Sequence, residues 1–301
     1  MKLNRKIQNI GLIVIAGISL IGFIVGTFLD QQITAKIGNY DNIVGILFTG
    51  FGPVLTLFVG SLCATILFFK PSYEKKWQSI FFRIFAVILF LSFNILSIRE
   101  GFGYTKFPRM EALASTYKAL MATLIGLIDL ATILFVKLYI KKIDNPHLIR
   151  TIVIVLLIFA GWILISQSTK YIASRPRPSA IDANPEIAFR NWYLFHPFEA
   201  FKEPYKQCKS FVSGHATNSA CLITILPLLF TLNKKENNNI IQICALVVGA
   251  LWAFVVAISR IMARAHYMTD VMAWILASVA IQALIINLEP KFNKKVAEEE
   301  K

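Results

Sequence analysis

Apolar residues in this chain gather into runs long enough to cross a bilayer, separated by short polar stretches. The runs cover about residues 10–29, 43–69, 79–98, 119–140, 151–168, 216–232, 240–258 and 271–288. Each is predicted to be a helix, because a helix satisfies its own backbone hydrogen bonds where lipid offers none. Eight crossings return the chain to its starting side. The expected fold class is therefore all-α, a polytopic membrane helical bundle of about eight transmembrane helices. Gly50, Gly52 and Pro53 in the second run mark a kink or a close helix contact. The first run follows Lys2, Arg5 and Lys6, as a secretory signal would. Its apolar stretch is too long for a signal peptide, and no small-x-small cleavage site precedes Asp30, so it reads as a retained anchor. The Lys/Glu-rich end, 289–301, is expected to be a disordered cytoplasmic tail.

Composition excludes a water-soluble domain: 56% of residues are hydrophobic, 16% are charged, and the mean hydropathy is +0.62. Charge then sets the orientation. With the amino terminus in the cytoplasm, the inner segments carry sixteen Lys and Arg, against five in the two plain outer loops. Both termini are thus expected in the cytoplasm. Two outer segments break the rule: one holds Lys170, Arg175, Arg177, Arg190, Lys202, Lys206 and Lys209, the other Arg260 and Arg264. Cations placed against the topology need another reason, and an anionic substrate supplies one. Cys63, Cys221 and Cys244 lie in apolar runs and Cys208 in an outer loop, so no disulfide framework is implied.

Candidate chemistry collects beside those outer cations. Residues 259–270 form a polar dodecamer between two apolar runs, with Ser259, Arg260, His266 and Asp270. If helical, His266 and Asp270 share one face, where the carboxylate fixes the imidazole tautomer. By itself the stretch reads equally as a site or as a turn between helices whose charges reach water. Lys170 and Arg177 flank the end of the fifth run, where Pro176 and Pro178 stop the helix, and two fixed cations can clamp a phosphate. Ser213, Gly214 and His215 open the sixth run, where a helix start offers unpaired N–H groups to an anion. Between them, residues 179–211 are rich in aromatics and charge, and read either as a lid that meets a lipid-like substrate or as an interfacial belt packed on the bundle. His196 in that loop reads as structural. Asp129, deep in the fourth run, reads better as a hydrogen-bonded interface residue than as a proton relay.

Taken together, Lys170-x6-Arg177-Pro178, Ser213-Gly214-His215 and Ser259-Arg260-x5-His266-x3-Asp270 resemble the three-part signature of the type 2 phosphatidic acid phosphatase superfamily, whose phosphate site is shared with vanadium haloperoxidases. One departure is Val212, where the family usually has proline. The resemblance implies a six-helix phosphatase core at 79–288 with an extracytoplasmic loop at 170–215, and two additional transmembrane helices at 1–78. It implies His266 as nucleophile forming a phosphohistidine, Asp270 as its orienter and His215 as general acid. Lys170, Arg177, Ser213, Gly214 and Arg260 would bind the phosphate. It implies no cofactor; a metal is also disfavoured by the Lys and Arg around the histidines, which attract an anion and repel a cation. The expected partners are a phosphorylated lipid substrate and membrane lipids, with no nucleic acid.

The expected activity is hydrolysis of a lipid phosphate or diphosphate at the extracytoplasmic face. Alternatives are a phosphotransferase using the same intermediate and an organic-anion transporter. Transport would spread polar residues through the helices, whereas here charge gathers at one surface. A catalytically dead lipid-binding relative is disfavoured because both histidines, Asp270 and the motif cations are present.

Overall fold

The apolar runs fold as helices in the computed structural model, which describes residues 2–70, 75–102, 114–140, 148–230 and 239–299. Helix α1 spans Lys2–Ile37, α2 Ile43–Phe69, α3 Lys76–Phe102, α4 Ala114–Tyr139 and α5 Leu148–Ala173. After α5 come a short helix, α6 (Pro178–Ala183), and two 3-10 turns at Glu199–Phe201 and Tyr205–Gln207. Helices α7 (Gly214–Phe230), α8 (Asn239–Met262) and α9 (Met268–Glu299) complete the chain. Among the described residues, seven helices are long and apolar enough to cross a membrane, which makes this a multi-pass membrane protein, and α7 is a shorter apolar helix. No strand occurs among the described residues. Contrary to the expectation of a disordered tail, α9 continues as helix through Glu299. Several expected loop cations, Lys106, Arg109, Lys141, Lys142, Lys234 and Lys235, lie outside the described residues.

Helices in lipid gain little from burying apolar surface against one another, so close packing at small residues has to hold them. At Gly249 of α8, an added Cβ would stand 2.7 Å from the Leu222 carbonyl oxygen of α7, so the two backbones nearly touch. Gly26 likewise brings α1 close to α9, near the Thr269 amide. At Gly52, beside Pro53, α2 meets Val256 of α8, and the Gly52 carbonyl accepts the Trp252 indole N–H at 3.0 Å. Helix α2 is consequently central, packed on α3, α4, α5, α7 and α8, while α1 lies along α9 and α8. Helices α3 and α4 pack chiefly on α2 and on each other. Asp129 of α4 sits in that interface and accepts a hydrogen bond from Ser61 of α2 at 3.2 Å, beside Asn94 of α3. This is the interface role its sequence context favoured.

Chain direction now places the polar segments. The carboxyl ends of α1, α5 and α8 and the amino ends of α2, α7 and α9 all lie at one end of the bundle, and the motif residues are gathered there. Loop 184–211 folds back over this end rather than standing away from it. Trp192 donates to Thr27 of α1 at 3.1 Å and its ring lies 4.9 Å from Phe23. Phe198 and His196 donate their amides to Tyr171 and Ala173 at the end of α5. Tyr193, Phe195, Phe198 and Phe201 remain exposed on its outer side.

Candidate active site

Helix α5 stops where Ser174 takes a left-handed backbone, with φ of 41°, and prolines follow at 176 and 178. Lys170 is left on the last turn, and Arg177 becomes the N-cap of α6. On the next segment, Ser213 precedes α7; its buried hydroxyl faces the Ala216 amide at 3.4 Å and its carbonyl accepts from Thr217. The serine therefore caps the helix that presents Gly214 and His215. Gly214 has a second reason to be glycine, since a Cβ there would lie 2.8 Å from the Lys170 Nζ. The ammonium is thus seated against the opening turn of α7, where the helix dipole also favours an anion.

Helix α8 ends in a Schellman motif. Arg264 takes φ of 52°, its amide donates to the Ile261 carbonyl, and the Ala265 amide reaches back to the Arg260 carbonyl. That stop overturns the expectation that His266 and Asp270 share a helical face. His266 lies in the connection, whereas Asp270 lies in the first turn of α9 and accepts the Tyr267 amide at 2.8 Å. The His266 Nδ1 is 3.7 Å from Asp270 Oδ2, too far for a hydrogen bond, and instead lies 2.8 Å from the Ser210 carbonyl oxygen. A carbonyl can only accept, so Nδ1 carries the hydrogen and Nε2 keeps its lone pair. Burial, reinforced by Arg260 and Arg177 and opposed by Asp270, pushes the His266 pKa down to about 3, which leaves the ring neutral at physiological pH.

The predicted residues converge. His215 interacts electrostatically with Arg260, His266, Lys170 and Arg177. Arg260 is buried and donates through Nη1 to Thr49 of α2 at 2.9 Å. Two imidazoles, three cations and a helix start are thus gathered together, an arrangement suited to a phosphoryl group and to the charge that builds up during its transfer. Among the described residues no group of three or more histidine, cysteine or carboxylate side chains is gathered to hold a metal ion.

Arg264, by contrast, holds the neighbouring elements together. Its Nε and Nη2 grip Asp182 of α6 at 2.7 and 2.8 Å, and the Tyr40 hydroxyl donates to the same carboxylate at 2.7 Å. His196 stands half exposed, 3.9 Å from Glu199. All four cysteines are free thiols.

Two residues that sequence reasoning did not place at the site are Arg175 and Asp30. The Arg175 guanidinium, 1% exposed, pairs with Asp270 at 2.6 Å and with Asp30 at 2.9 Å. Burial would lower its pKa, but the Asp270 and Asp30 charges outweigh burial and hold it above the usual arginine value. The available signal was a carboxylate at the very end of an apolar run, Asp30, whose burial calls for a charged partner.

The profile of the PAP2 superfamily matches residues 151–294, which contain α5 through most of α9 and all three motifs. Members of that superfamily are phosphatases, which supports a phosphoesterase activity. No curated protein and no solved structure matches the chain.

Proposed function

We propose, from the match of residues 151–294 to the PAP2 superfamily, that this protein is a metal-independent membrane phosphatase that hydrolyses a lipid phosphate or diphosphate monoester at the extracytoplasmic face through a phosphohistidine on His266. The observation that carries this reading is the Nδ1 contact of the His266 ring with the Ser210 carbonyl oxygen, which leaves Nε2 its lone pair, in a ring held neutral by burial.

In the first step the Nε2 lone pair forms a bond to phosphorus while the bond from phosphorus to the leaving oxygen breaks, and His215, protonated when the bound phosphate anion offsets the surrounding cations, gives that oxygen its proton. Lys170, Arg177, Arg260 and the amino end of α7 hold the nonbridging oxygens and balance their charge in the transition state. The ring gains positive charge as it is phosphorylated, and Asp270, 3.7 Å from Nδ1, is placed to stabilise that charge. In the second step water attacks phosphorus, His215 takes its proton, and the N–P bond breaks to return neutral His266. A lipid substrate suits the apolar bundle and the exposed aromatics of loop 184–211. The extracytoplasmic side is supported by the excess of Lys and Arg in the opposite loops.

The test is phosphate release by purified protein in detergent and EDTA, across a panel of lipid phosphates and diphosphates. His266→Ala should abolish release and His215→Ala should reduce it by about a hundredfold or more. Release unchanged in both variants would overturn the mechanism. A labelled acceptor lipid that takes up the phosphate would convert the reading to a transferase, and anion flux without release would make it a transporter. A membrane-impermeant thiol label applied from outside should fail to reach Lys234→Cys.

A further inference from the structure

Arg175 touches no predicted reacting atom, yet it is the most constrained cation described at this end of the bundle. Its Nε donates to the Arg190 carbonyl at 2.8 Å. One terminal nitrogen donates to Asp270 Oδ1 at 2.6 Å and to Thr269 Oγ1 at 2.8 Å, and the other to Asp30 Oδ2 at 2.9 Å. The Tyr267 and Phe189 rings cover it, with centroids 4.3 and 5.3 Å away. Asp30 is tied in turn to α9, accepting from the Thr269 amide at 3.1 Å and from the Thr269 hydroxyl. A buried arginine between two buried carboxylates is costly to assemble, and its planar fork fixes the direction of each partner.

We propose that Arg175, anchored from α1 by Asp30, is a positioning residue for the reaction, acting on the nucleophile through Asp270 and Ser210. The inference rests on the reading of His266 as nucleophile. Two paths lead from Arg175 to that ring, one from its guanidinium and one from its backbone carbonyl. Along the first, Arg175 holds Oδ1 of Asp270, so that Oδ2 is left to accept from the Ser210 hydroxyl at 2.5 Å and to face His266. Along the second, the Arg175 carbonyl accepts the Ser210 amide at 2.9 Å, and the Ser210 carbonyl accepts from His266 Nδ1. Both the tautomer of His266 and the carboxylate that answers its developing charge are therefore set by one residue. That residue is clamped by a carboxylate from the far amino-terminal helix. Its partner in sequence, Arg177, lies across Pro176 and serves the phosphate instead, so these two arginines divide the labour of holding the substrate and holding the nucleophile.

The experiment compares wild type, Asp30→Asn, Arg175→Lys, the double variant and His266→Ala in detergent. Steady-state phosphate release, inhibition by inorganic phosphate and thermal unfolding are measured on each. Asp30→Asn keeps shape and loses the anchor charge; its kcat should fall about tenfold while KM and phosphate inhibition stay within about twofold. Arg175→Lys keeps the charge and loses the fork, so its kcat should fall about a hundredfold without rescue. Wild-type kcat in either single variant, or kcat and phosphate inhibition lost in proportion, would overturn the proposal. Wild type releasing no phosphate from any substrate would instead sink the reading of function. The unfolding midpoints then decide this inference separately: the double variant should lose clearly less than the two single losses added, and simple additivity would show that the anchor is not coupled.

Discussion

Gly214 and His266 carry the sharpest expectations at the scale of single residues. A methyl group on Gly214 would collide with the end of the flexible Lys170 side chain, 2.8 Å away, and not with backbone. Gly214→Ala should therefore fold with an unfolding midpoint close to wild type while kcat/KM drops about tenfold or more, because the ammonium is pushed from its seat. An equal loss of midpoint and activity would contradict this. His266 also makes stability depend on pH. Its folded pKa of about 3 lies below the unfolded value, so the unfolded chain binds the proton more readily. The contribution is intact above about pH 6.5 and is lost as pH falls toward about 3, on the order of a few kcal/mol. Unfolding midpoints measured from about pH 7 to about pH 4 should decline, and His266→Asn should flatten part of that decline. The candidate residues were legible because ionisable groups in an apolar chain stand out; the wrong detail was the shared helical face, which a left-handed Arg264 breaks.

At the scale of elements, the site depends on helix ends being held in register. The contact of α7 with α8 is the tightest lever on that register, since His215 starts one helix and Arg260 ends the other. Gly249→Ala places a Cβ 2.7 Å from a backbone oxygen that cannot swing aside. It should cost about 1–3 kcal/mol of stability, read as a lowered unfolding midpoint, and reduce activity by separating those ends. Hydropathy made the middle of each helix legible, but helices run past their apolar runs, α1 through Lys2–Ile37 and α9 through Met268–Glu299. The same signal did not say that loop 184–211 closes back on α1 through Trp192, because an aromatic loop looks alike whether it packs or swings.

For the whole molecule, packing groups the helices around α2. The motif signature suggested a core starting near residue 79, with 1–78 as an addition. Yet α1 supplies Asp30, α2 supplies Thr49 and forms the centre of the bundle, and α3 and α4 sit at its side. The catalytic core we propose is accordingly α1, α2, α5, α7, α8 and α9, with α3 and α4 as the accessory pair. A chain starting at residue 79 should show no phosphate release even when recovered in membranes, whereas activity in that truncation would restore the earlier division.

The class of fold, the apolar crossings and the residue types of the candidate site all follow from the order of amino acids, because a bilayer forces long apolar helices and makes each charge beside them expensive. Which atoms those charges meet follows only from the folded bundle. Residues 30, 175, 210 and 270 are distant in the chain, and no local periodicity relates them; only the meeting of α1, the end of α5 and the start of α9 makes them one network. Folding likewise decided that the His266 tautomer is held by a backbone carbonyl, a group every residue carries and no sequence pattern can single out.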